Sequence, residues 1–198
     1  MSEEIFSQRK SIRKYKQDPV SERDIRTIIE AGRVAPSAKN RQPWKFIVFT
    51  GERKEALLSE MEKGIEKTKH SLFMPQKYRN GMASADNTLR IMREAPVVII
   101  VLNLLSSNPY PPILAGKRVS EIHNTLSIGA AIENMLLQAT QLGLGTLWIG
   151  NTVYAHKQIS KFLGTKHQIA SAIALGYPDE TPEGRPKKTL EEISQFES

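Results

Sequence analysis

Two short clusters of basic residues near opposite ends of the chain have the composition of an anion-binding site. The first is Arg9-Lys10-Ser11-Ile12-Arg13-Lys14, and the second is Arg185-Pro186-Lys187-Lys188. Arginine offers a planar fork of donors and serine a hydroxyl, which match phosphate oxygens and the polar edge of a heterocycle. In an extended segment Arg9, Ser11 and Arg13 would point to the same side. One cluster alone predicts only anion binding. The two together predict that both clusters bind one phosphorylated cofactor.

A third polar segment, residues 35–44, has the features of a ligand-binding loop. Pro36 and Pro43 fix its ends between a predicted helix and a predicted strand. Its polar members are Ser37, Asn40 and Gln42, which supply hydroxyl and amide groups. The alternative interpretation is a structural turn in which Trp44 fills the core, and the residues alone leave both interpretations open.

The sequence lacks the motifs of several common catalytic sites. It contains no Gly-x-Gly-x-x-Gly, no phosphate loop ending in Gly-Lys-Ser/Thr, no His-Glu-x-x-His and no Gly-x-Ser-x-Gly. Cysteine is absent, which excludes disulfides, zinc fingers and thiol catalysis. The histidines show no metal-ligand spacing and are interpreted as surface or half-buried residues; they are His70, His123, His156 and His167. A chain without an evident acid, base or nucleophile is expected to borrow its reagent from a cofactor, with no metal.

Size and charge limit the remaining function classes. The chain has 198 residues, 39% of them hydrophobic, which suffices for one domain spanning 1–198. The net charge of +7 suggests nucleic-acid binding, but no zinc-finger spacing or aromatic ribonucleoprotein motif is present, so we expect no nucleic-acid partner. No apolar run approaches the roughly 20 residues that span a bilayer, and the acidic start is no secretory signal. We therefore expect a cytoplasmic protein without a membrane partner.

Apolar periodicity predicts strands separated by helices, which indicates a layered α/β or α+β fold. A capping box at Ser21 and Asp24 begins a helix that ends before Pro36. The other predicted elements are strands at 46–49, 97–102, 146–150 and 169–175, and helices at 56–65, 87–93, 120–142 and 156–163. Residues 63–82 are predicted to form a loop or mobile helical excursion, and 108–112 a surface loop. The helix at 120–142 is apolar nearly all round, which predicts that it is buried.

Five segments, in order, resemble the FMN-dependent nitroreductase family. They are Arg-Lys-Ser-Ile-Arg at 9–13, Ala-Pro-Ser-Ala-Lys-Asn-Arg-Gln-Pro-Trp at 35–44, Leu-Gly-Leu-Gly-Thr-Leu-Trp-Ile-Gly at 142–150, Ala-Leu-Gly-Tyr-Pro at 174–178 and Arg-Pro-Lys-Lys-Thr-Leu-Glu-Glu at 185–192. Any one of them is modest evidence, but five in the right order are strong. The resemblance covers nearly the whole chain except roughly residues 63–118. In the family that region helps to form the pocket over the flavin, so the resemblance does not extend to substrate choice.

The resemblance implies an α+β fold, with a mixed central sheet flanked by helices, in an intertwined homodimer that holds two FMN molecules at the subunit interface. It implies that the FMN phosphate and pyrimidine edge contact Arg9, Lys10, Ser11 and Arg13, and that Arg185 and Lys187 complete the phosphate site. The partner subunit would supply Pro36, Ser37, Ala38 and Asn40 to one face of the isoalloxazine. Along the other face would lie Leu147, Trp148, Ile149 and Gly150, with backbone groups near the reactive edge. For the side chain of Trp148 we favour a core position over stacking on the flavin. Lys10 and Lys187 stand where many relatives carry Arg or other residues, which keeps the charge but weakens bidentate geometry.

The activity implied by the resemblance is ping-pong oxidation and reduction. NADH or NADPH would pass hydride to FMN and leave, and a small oxidised acceptor such as a nitroaromatic or quinone would then take its place. The cofactor carries this chemistry, so no catalytic side chain is predicted. A positive group near the pyrimidine edge, Arg13 or Lys10, would stabilise the anionic reduced flavin. The alternatives are another reaction of the same family, reductive dehalogenation or flavin fragmentation, a flavin-binding protein without turnover, and a basic nucleic-acid-binding module.

Overall fold

A four-stranded sheet lies at the centre of the computed structural model, which describes residues 4–70, 82–107, 109 and 114–197. Its strands are β1 (Trp44–Thr50), β2 (Val97–Asn103), β3 (Gly145–Ile149) and β4 (Gln168–Gly176), in the order β1-β2-β4-β3. All neighbouring strands in this sheet pair antiparallel. A parallel bridge joins Ser11 to Thr146 at the outer edge of β3. The four described strands therefore form an antiparallel sheet, and the parallel character expected of a mixed sheet is limited among the described residues to this single bridge.

Helices cover both faces of this sheet. Within the described residues they are α1 (Glu4–Gln8), α2 (Glu22–Arg33), α3 (Gly51–Lys69), α4 (Met82–Glu94), α5 (Ala115–Gln141), α6 (His156–Leu163) and α7 (Leu190–Ile193), with 3₁₀ turns at Ala38–Asn40 and Asn151–Ala155. None of these described helices is both long enough and apolar enough to cross a membrane.

The helix α3 extends further than predicted. Of the two forms predicted from residue 63, a loop or a helical excursion, residues 63–69 take the helical one, because α3 continues to Lys69. The reason is packing, because Ile65 is buried and Gly64 lies against Ala155, where a Cβ on the glycine would come within 2.7 Å of the alanine Cβ. Residues 71–81 of the predicted excursion lie outside the described residues, as does most of the predicted loop at 108–112.

The central strand β2 divides the core into two layers. Val98, Ile100 and Leu102 pack in the layer with α3, α4 and α6, while Val97, Ile99 and Val101 pack in the layer with α2 and α5. All seven residues of β2 are buried. A strand covered on both faces is expected to be continuously apolar rather than alternating, which explains why β2 is the clearest strand in the sequence.

The start of α2 confirms the predicted cap in part. The Ser21 hydroxyl oxygen accepts the backbone N–H of Asp24 at 3.1 Å. The return bond differs from a full capping box, because the Asp24 carboxylate accepts the Ser21 hydroxyl at 2.8 Å. The helix then buries Ile25 and Ile28 against the sheet.

The long helix α5 begins earlier than predicted and is only partly buried. Its C-terminal half packs against the sheet, as expected. Its N-terminal half is different, because Val119, Ile122 and Leu126 are 57%, 51% and 67% exposed. Spacings of three and four residues put these side chains on one outward face, which we call the apolar ridge. The prediction of a buried helix is therefore wrong for this half, since the described part of the chain does not cover the apolar ridge.

Lys54 is a buried cation that closes the C-terminal end of α4. Its Nζ donates to the carbonyls of Arg93 at 2.8 Å and Ala95 at 2.7 Å. Replacing Lys54 with Met keeps most of the stem but leaves both carbonyls without this donor, so we expect the free energy of unfolding to fall by about 2–3 kcal/mol. Urea unfolding measures this change. The exposed control Lys157→Met should change it by less than about 0.5 kcal/mol, and equal effects of the two variants would contradict the role of Lys54.

Candidate functional site

The N-terminal basic segment is fixed to the open edge of β3. The N–H of Ile12 donates to the carbonyl of Thr146 at 2.9 Å, and the Ile12 side chain lies where a Cβ on Gly145 would come within 2.6 Å of it. The hydroxyl of Tyr15 donates to the carbonyl of Ile12 at 2.8 Å. Burial raises the pKa of Tyr15 well above its usual value, so this phenol remains a neutral donor at physiological pH. The basic side chains therefore start from a firmly held backbone.

The predicted site residues of this segment are half-buried, and they differ in what they contact. The Nε of Arg9 lies 3.3 Å from the carboxylate of Glu133 on α5. Within the described part of the chain the two terminal nitrogens of Arg9 make no hydrogen bond, so both are available to an anion. The Nη1 of Arg13 instead donates to the carbonyl of Ser11 at 3.1 Å, and the backbone N–H of Arg13 donates to the Glu180 carboxylate at 2.5 Å. Arg9 is thus the better placed of the two guanidinium groups to bind a phosphate.

The strand β3 exposes one large side chain toward α5. Trp148 is 44% exposed, whereas Leu147 and Ile149 are buried in the opposite layer of the core. The ring of Trp148 approaches Gly129, with its Cη2 3.8 Å from the position of a glycine Cβ. The predicted core position of Trp148 is therefore wrong, because β3 is an edge strand and the described residues leave this part of its face open. Leu147 and Ile149 can offer only backbone groups to a ligand on the Trp148 side.

The loop at residues 36–42 has an unusual backbone. Lys39, Asn40 and Gln42 have φ values of +55°, +53° and +46°. Residues other than glycine seldom adopt this left-handed region, at a cost of about 1–3 kcal/mol each. Bonds inside the loop support it, since the N–H of Gln42 donates to the Ser37 hydroxyl oxygen at 3.0 Å and its side-chain amide donates to the Asn40 Oδ1 at 3.1 Å. Part of the polar capacity predicted to serve a ligand is thus used within the loop.

The helix α5 holds this loop from outside. The N–H of Ala38 donates to the hydroxyl oxygen of Ser127 at 3.2 Å. Nearer the start of the loop, the side-chain amide of Asn134 donates to the carbonyl of Ala31 in α2 at 3.1 Å. At the other end Trp44 is buried in the core where β1 begins. The core position of Trp44 is confirmed, and the ligand role of the loop stays a prediction.

Different faces of α5 carry the different parts of the candidate site. Gly129 and Glu133 meet β3 and the N-terminal segment, whereas Ser127 and Asn134 meet the loop and the helix before it. At 3.6 residues per turn the two pairs point roughly 130° apart. The apolar ridge lies close to the direction of Gly129 and Glu133 and further from that of Ser127 and Asn134. One chain therefore holds its own loop on a different side of α5 from its Trp148.

Within the described residues, no hydrogen bond or ion pair connects the C-terminal basic cluster to the N-terminal one. Arg185 and Lys187 are exposed, and among the described residues neither makes a hydrogen bond or an ion pair. The short helix α7 follows them, and its apolar residues Leu190 and Ile193 are 61% and 66% exposed. The described chain does not join this cluster to Arg9, so the shared phosphate site stays a prediction.

The histidines do not form a metal site in the part of the chain that is described. No group of three or more His, Cys, Asp or Glu side chains there could hold a metal ion. His156 differs from the predicted surface or half-buried position, because it is buried at the start of α6. Burial lowers the pKa of His156, which favours the neutral imidazole.

Sequence reasoning missed the polar residues of α5 that organise the site. Ser127 and Asn134 lie seven residues apart, which is about two helical turns and puts them on one face. Glu133 contacts Arg9. The available signal was the presence of polar residues in a helix that is otherwise apolar, because such residues need partners when they are buried.

Comparisons with known proteins establish the family. The model of the Nitroreductase family matches residues 6–177, so the chain belongs to this family. An Archaeoglobus fulgidus protein, provisionally named NADH dehydrogenase/NAD(P)H nitroreductase, is 31% identical over 176 residues, 86% of this chain and 81% of its own. The BluB-like flavoprotein from Clostridium difficile 630 is 26% identical, with a TM-score of 0.77 and full coverage of both chains. A provisionally named nitroreductase from Desulfovibrio desulfuricans, solved in complex with FMN, is 27% identical, with a TM-score of 0.68 and coverage of 98% and 95%. The predicted family and the predicted α+β fold are confirmed.

Proposed function

We propose that the protein is an FMN-dependent oxidoreductase that transfers reducing equivalents from NADH or NADPH to a small oxidised acceptor. Membership of the Nitroreductase family over residues 6–177 is the observation that carries the proposal. The FMN complex of the Desulfovibrio desulfuricans relative supports FMN as the cofactor. The name of the Archaeoglobus fulgidus relative supports a nicotinamide donor.

The described residues include a cation and a flat apolar surface of the kinds that FMN needs. A phosphate that leaves water needs cations or oriented N–H groups around it, and Arg9 offers two unused terminal nitrogens on a fixed segment. The exposed face of Trp148 gives a flat apolar surface for a ring system. Because the carbonyl of Thr146 points away from β4, strand alternation turns the backbone groups of Trp148 toward the same open edge.

The residues that we propose to hold FMN fall into three groups. The phosphate and pyrimidine edge would be bound by Arg9, Lys10, Ser11, Arg13, Arg185 and Lys187. One face of the ring would meet Leu147, Trp148, Ile149 and Gly150, and the other would meet Pro36, Ser37, Ala38 and Asn40.

Bound FMN would supply the hydride chemistry, and the chain would supply binding, orientation and electrostatics. The positive charge of Lys10 or Arg13 would favour negative charge on the pyrimidine edge. The loop and β3 would exclude water from the ring. Donor and acceptor would occupy the same place in turn, which is ping-pong turnover without a catalytic side chain.

We further propose that the active form is a homodimer. The apolar ridge is an apolar face on the longest described helix that the other described residues leave exposed, and a second copy of the chain would bury it. The two faces of α5 support the same conclusion, since one chain keeps its loop away from its own Trp148. A second copy could bring its loop to this side and complete the site. The single domain at 1–198, cytoplasmic residence and the lack of a nucleic-acid partner stay predictions from the sequence.

Anaerobic reduction followed by a panel of acceptors tests this function. The FMN-loaded protein is reduced with NADPH or NADH and then mixed with a nitroaromatic, a quinone or a halogenated aromatic compound. We expect the nitroaromatic or the quinone to restore the oxidised flavin spectrum faster than it does for free reduced FMN, which is the control. Reoxidation by the halogenated compound alone would favour dehalogenation, loss of the flavin in air would favour fragmentation, and bound FMN that neither nucleotide reduces would indicate binding without turnover.

A further inference from the structure

We infer that Ser127 is a positioning residue, which fixes the loop at 36–42 in the conformation that serves the cofactor. The inference rests on the proposed function, because that function places the loop at FMN. Ser127 lies on α5, outside the loop and outside the predicted set of cofactor-binding residues. Its role follows from how its hydroxyl group is used.

The hydroxyl group of Ser127 makes two hydrogen bonds of opposite direction. It donates to the carbonyl of His123 at 2.7 Å, one turn earlier in α5, and it accepts the N–H of Ala38 at 3.2 Å. Because the hydrogen is directed at the helix carbonyl, the lone pairs remain for the loop. Ser127 is 7% exposed, so water has little access to replace it. An alanine at this position would leave the Ala38 N–H without this acceptor.

The loop needs such an external bond because its own bonds fix its shape but not its position. Within it, the N–H of Asn40 donates to the Ser37 carbonyl at 2.9 Å and the N–H of Arg41 donates to the Ala38 carbonyl at 3.2 Å. These bonds close the turn around the left-handed residues without connecting it to the rest of the chain. The bond to Ser127 enters at Ala38, immediately before the first left-handed residue, Lys39.

Asn134 and Ser127 hold different parts of this region, because Asn134 bonds to the end of α2 before the loop and Ser127 bonds to Ala38 within the loop. The bond of Asn134 to the carbonyl of Ala31 fixes the end of α2, and this bond does not involve Ser127. Loss of the Ser127 hydroxyl should therefore release the segment around Ala38 while the end of α2 stays in place. Because α5 also carries the apolar ridge that would form the interface of the proposed dimer, the position of the loop relative to α5 would set where the loop meets the cofactor site of the partner subunit.

The test compares Ser127→Ala with a matched control on the same helix, Thr140→Val. Thr140 is half-buried and its hydroxyl donates to the carbonyl of Leu136 at 2.9 Å, one turn earlier, as that of Ser127 does to His123. It makes no described bond to the loop. The readouts are the dissociation constant of FMN, from fluorescence quenching, and the visible circular dichroism of bound FMN, with thermal unfolding of the apoprotein as the measure of stability.

We expect Ser127→Ala to raise the dissociation constant of FMN about tenfold and to alter the visible dichroism, because the orphaned N–H allows the loop to move. Thr140→Val should stay within about twofold of the original protein. The variant Ser127→Thr, which keeps a hydroxyl, should restore tight binding. Equal weakening by Ser127→Ala and Thr140→Val, or unchanged binding in Ser127→Ala, would overturn the inference. Failure of the unaltered protein to bind FMN would instead overturn the proposed function.

Discussion

Replacing Arg9 and Arg185 together with alanine should weaken FMN binding by about a hundredfold or more and leave folding almost unchanged. A hydrogen bond to a charged group contributes about 1.5–3 kcal/mol, and each 1.4 kcal/mol is a factor of ten in affinity. Arg9 is held near Glu133 with two unused donors, and Arg185 is exposed, so neither guanidinium supports the core. Fluorescence titration with FMN gives the affinity, and urea unfolding of the apoprotein gives the stability.

The control for this double variant removes the same net charge elsewhere. Arg23 and Lys166 are exposed cations outside the predicted site, and replacing both with alanine should leave FMN affinity within about twofold. If this control weakens binding as much as the double variant, general electrostatic attraction explains the effect. If Arg185→Ala alone leaves FMN affinity unchanged, the C-terminal cluster lies outside the site and the prediction of a shared phosphate site is wrong.

Replacing Leu126 with Glu should convert the proposed dimer into a monomer and remove FMN binding with it. Leu126 is 67% exposed in the chain, so a glutamate there is compatible with the folded monomer. At a subunit interface the same glutamate would be buried without a partner, which is strongly unfavourable. Sedimentation velocity at micromolar protein measures the oligomeric state, and fluorescence titration measures FMN affinity in the same samples.

A glutamate on another helix separates the interface from a general effect of charge. Thr27 is exposed on α2, away from the apolar ridge, and Thr27→Glu should remain dimeric and bind FMN normally. A dimeric Leu126→Glu protein would contradict the role of the apolar ridge. A monomeric Leu126→Glu protein that binds FMN with unchanged affinity would contradict the contribution of the partner loop.

The bounds of a helix or strand could be predicted closely from the sequence where its own residues determine its secondary structure and burial. The helix predicted at 156–163 has these bounds in the structure. The strands predicted at 97–102, 146–150 and 169–175 correspond to β2, β3 and β4, and no predicted end is more than one residue from the observed one. The continuous apolar run of β2 requires burial on both faces, and the structure provides it.

The wrong predictions concern positions whose environment depends on distant parts of the chain. Trp148 has an apolar side chain typical of the core, but β3 is an edge strand, and strand order is not written in local sequence. The apolar ridge was expected to be buried because apolar residues usually are, yet the described residues leave it exposed, and in the proposed dimer a second chain would cover it. The residues from 63 onward were predicted as a loop or a helical excursion rather than as part of α3, because the close contact of Gly64 with Ala155 leaves no local pattern.

The candidate site likewise contains residues that could be identified from the sequence and residues that could not. The basic and loop segments could be identified from residue types, whereas Ser127, Glu133 and Asn134 could not be assigned until α5 was placed beside them. Residue types indicate which groups can bind an anion. The packing of α5 determines which of them are held in position and by what.

The central claim, that this chain is an FMN-dependent NAD(P)H oxidoreductase, is tested most directly by anaerobic titration of the purified protein with NADPH or NADH. The protein should retain FMN and be yellow, and at least one nucleotide should bleach the visible flavin absorbance in stoichiometric amount. A colourless protein that takes up no added FMN would contradict the claim.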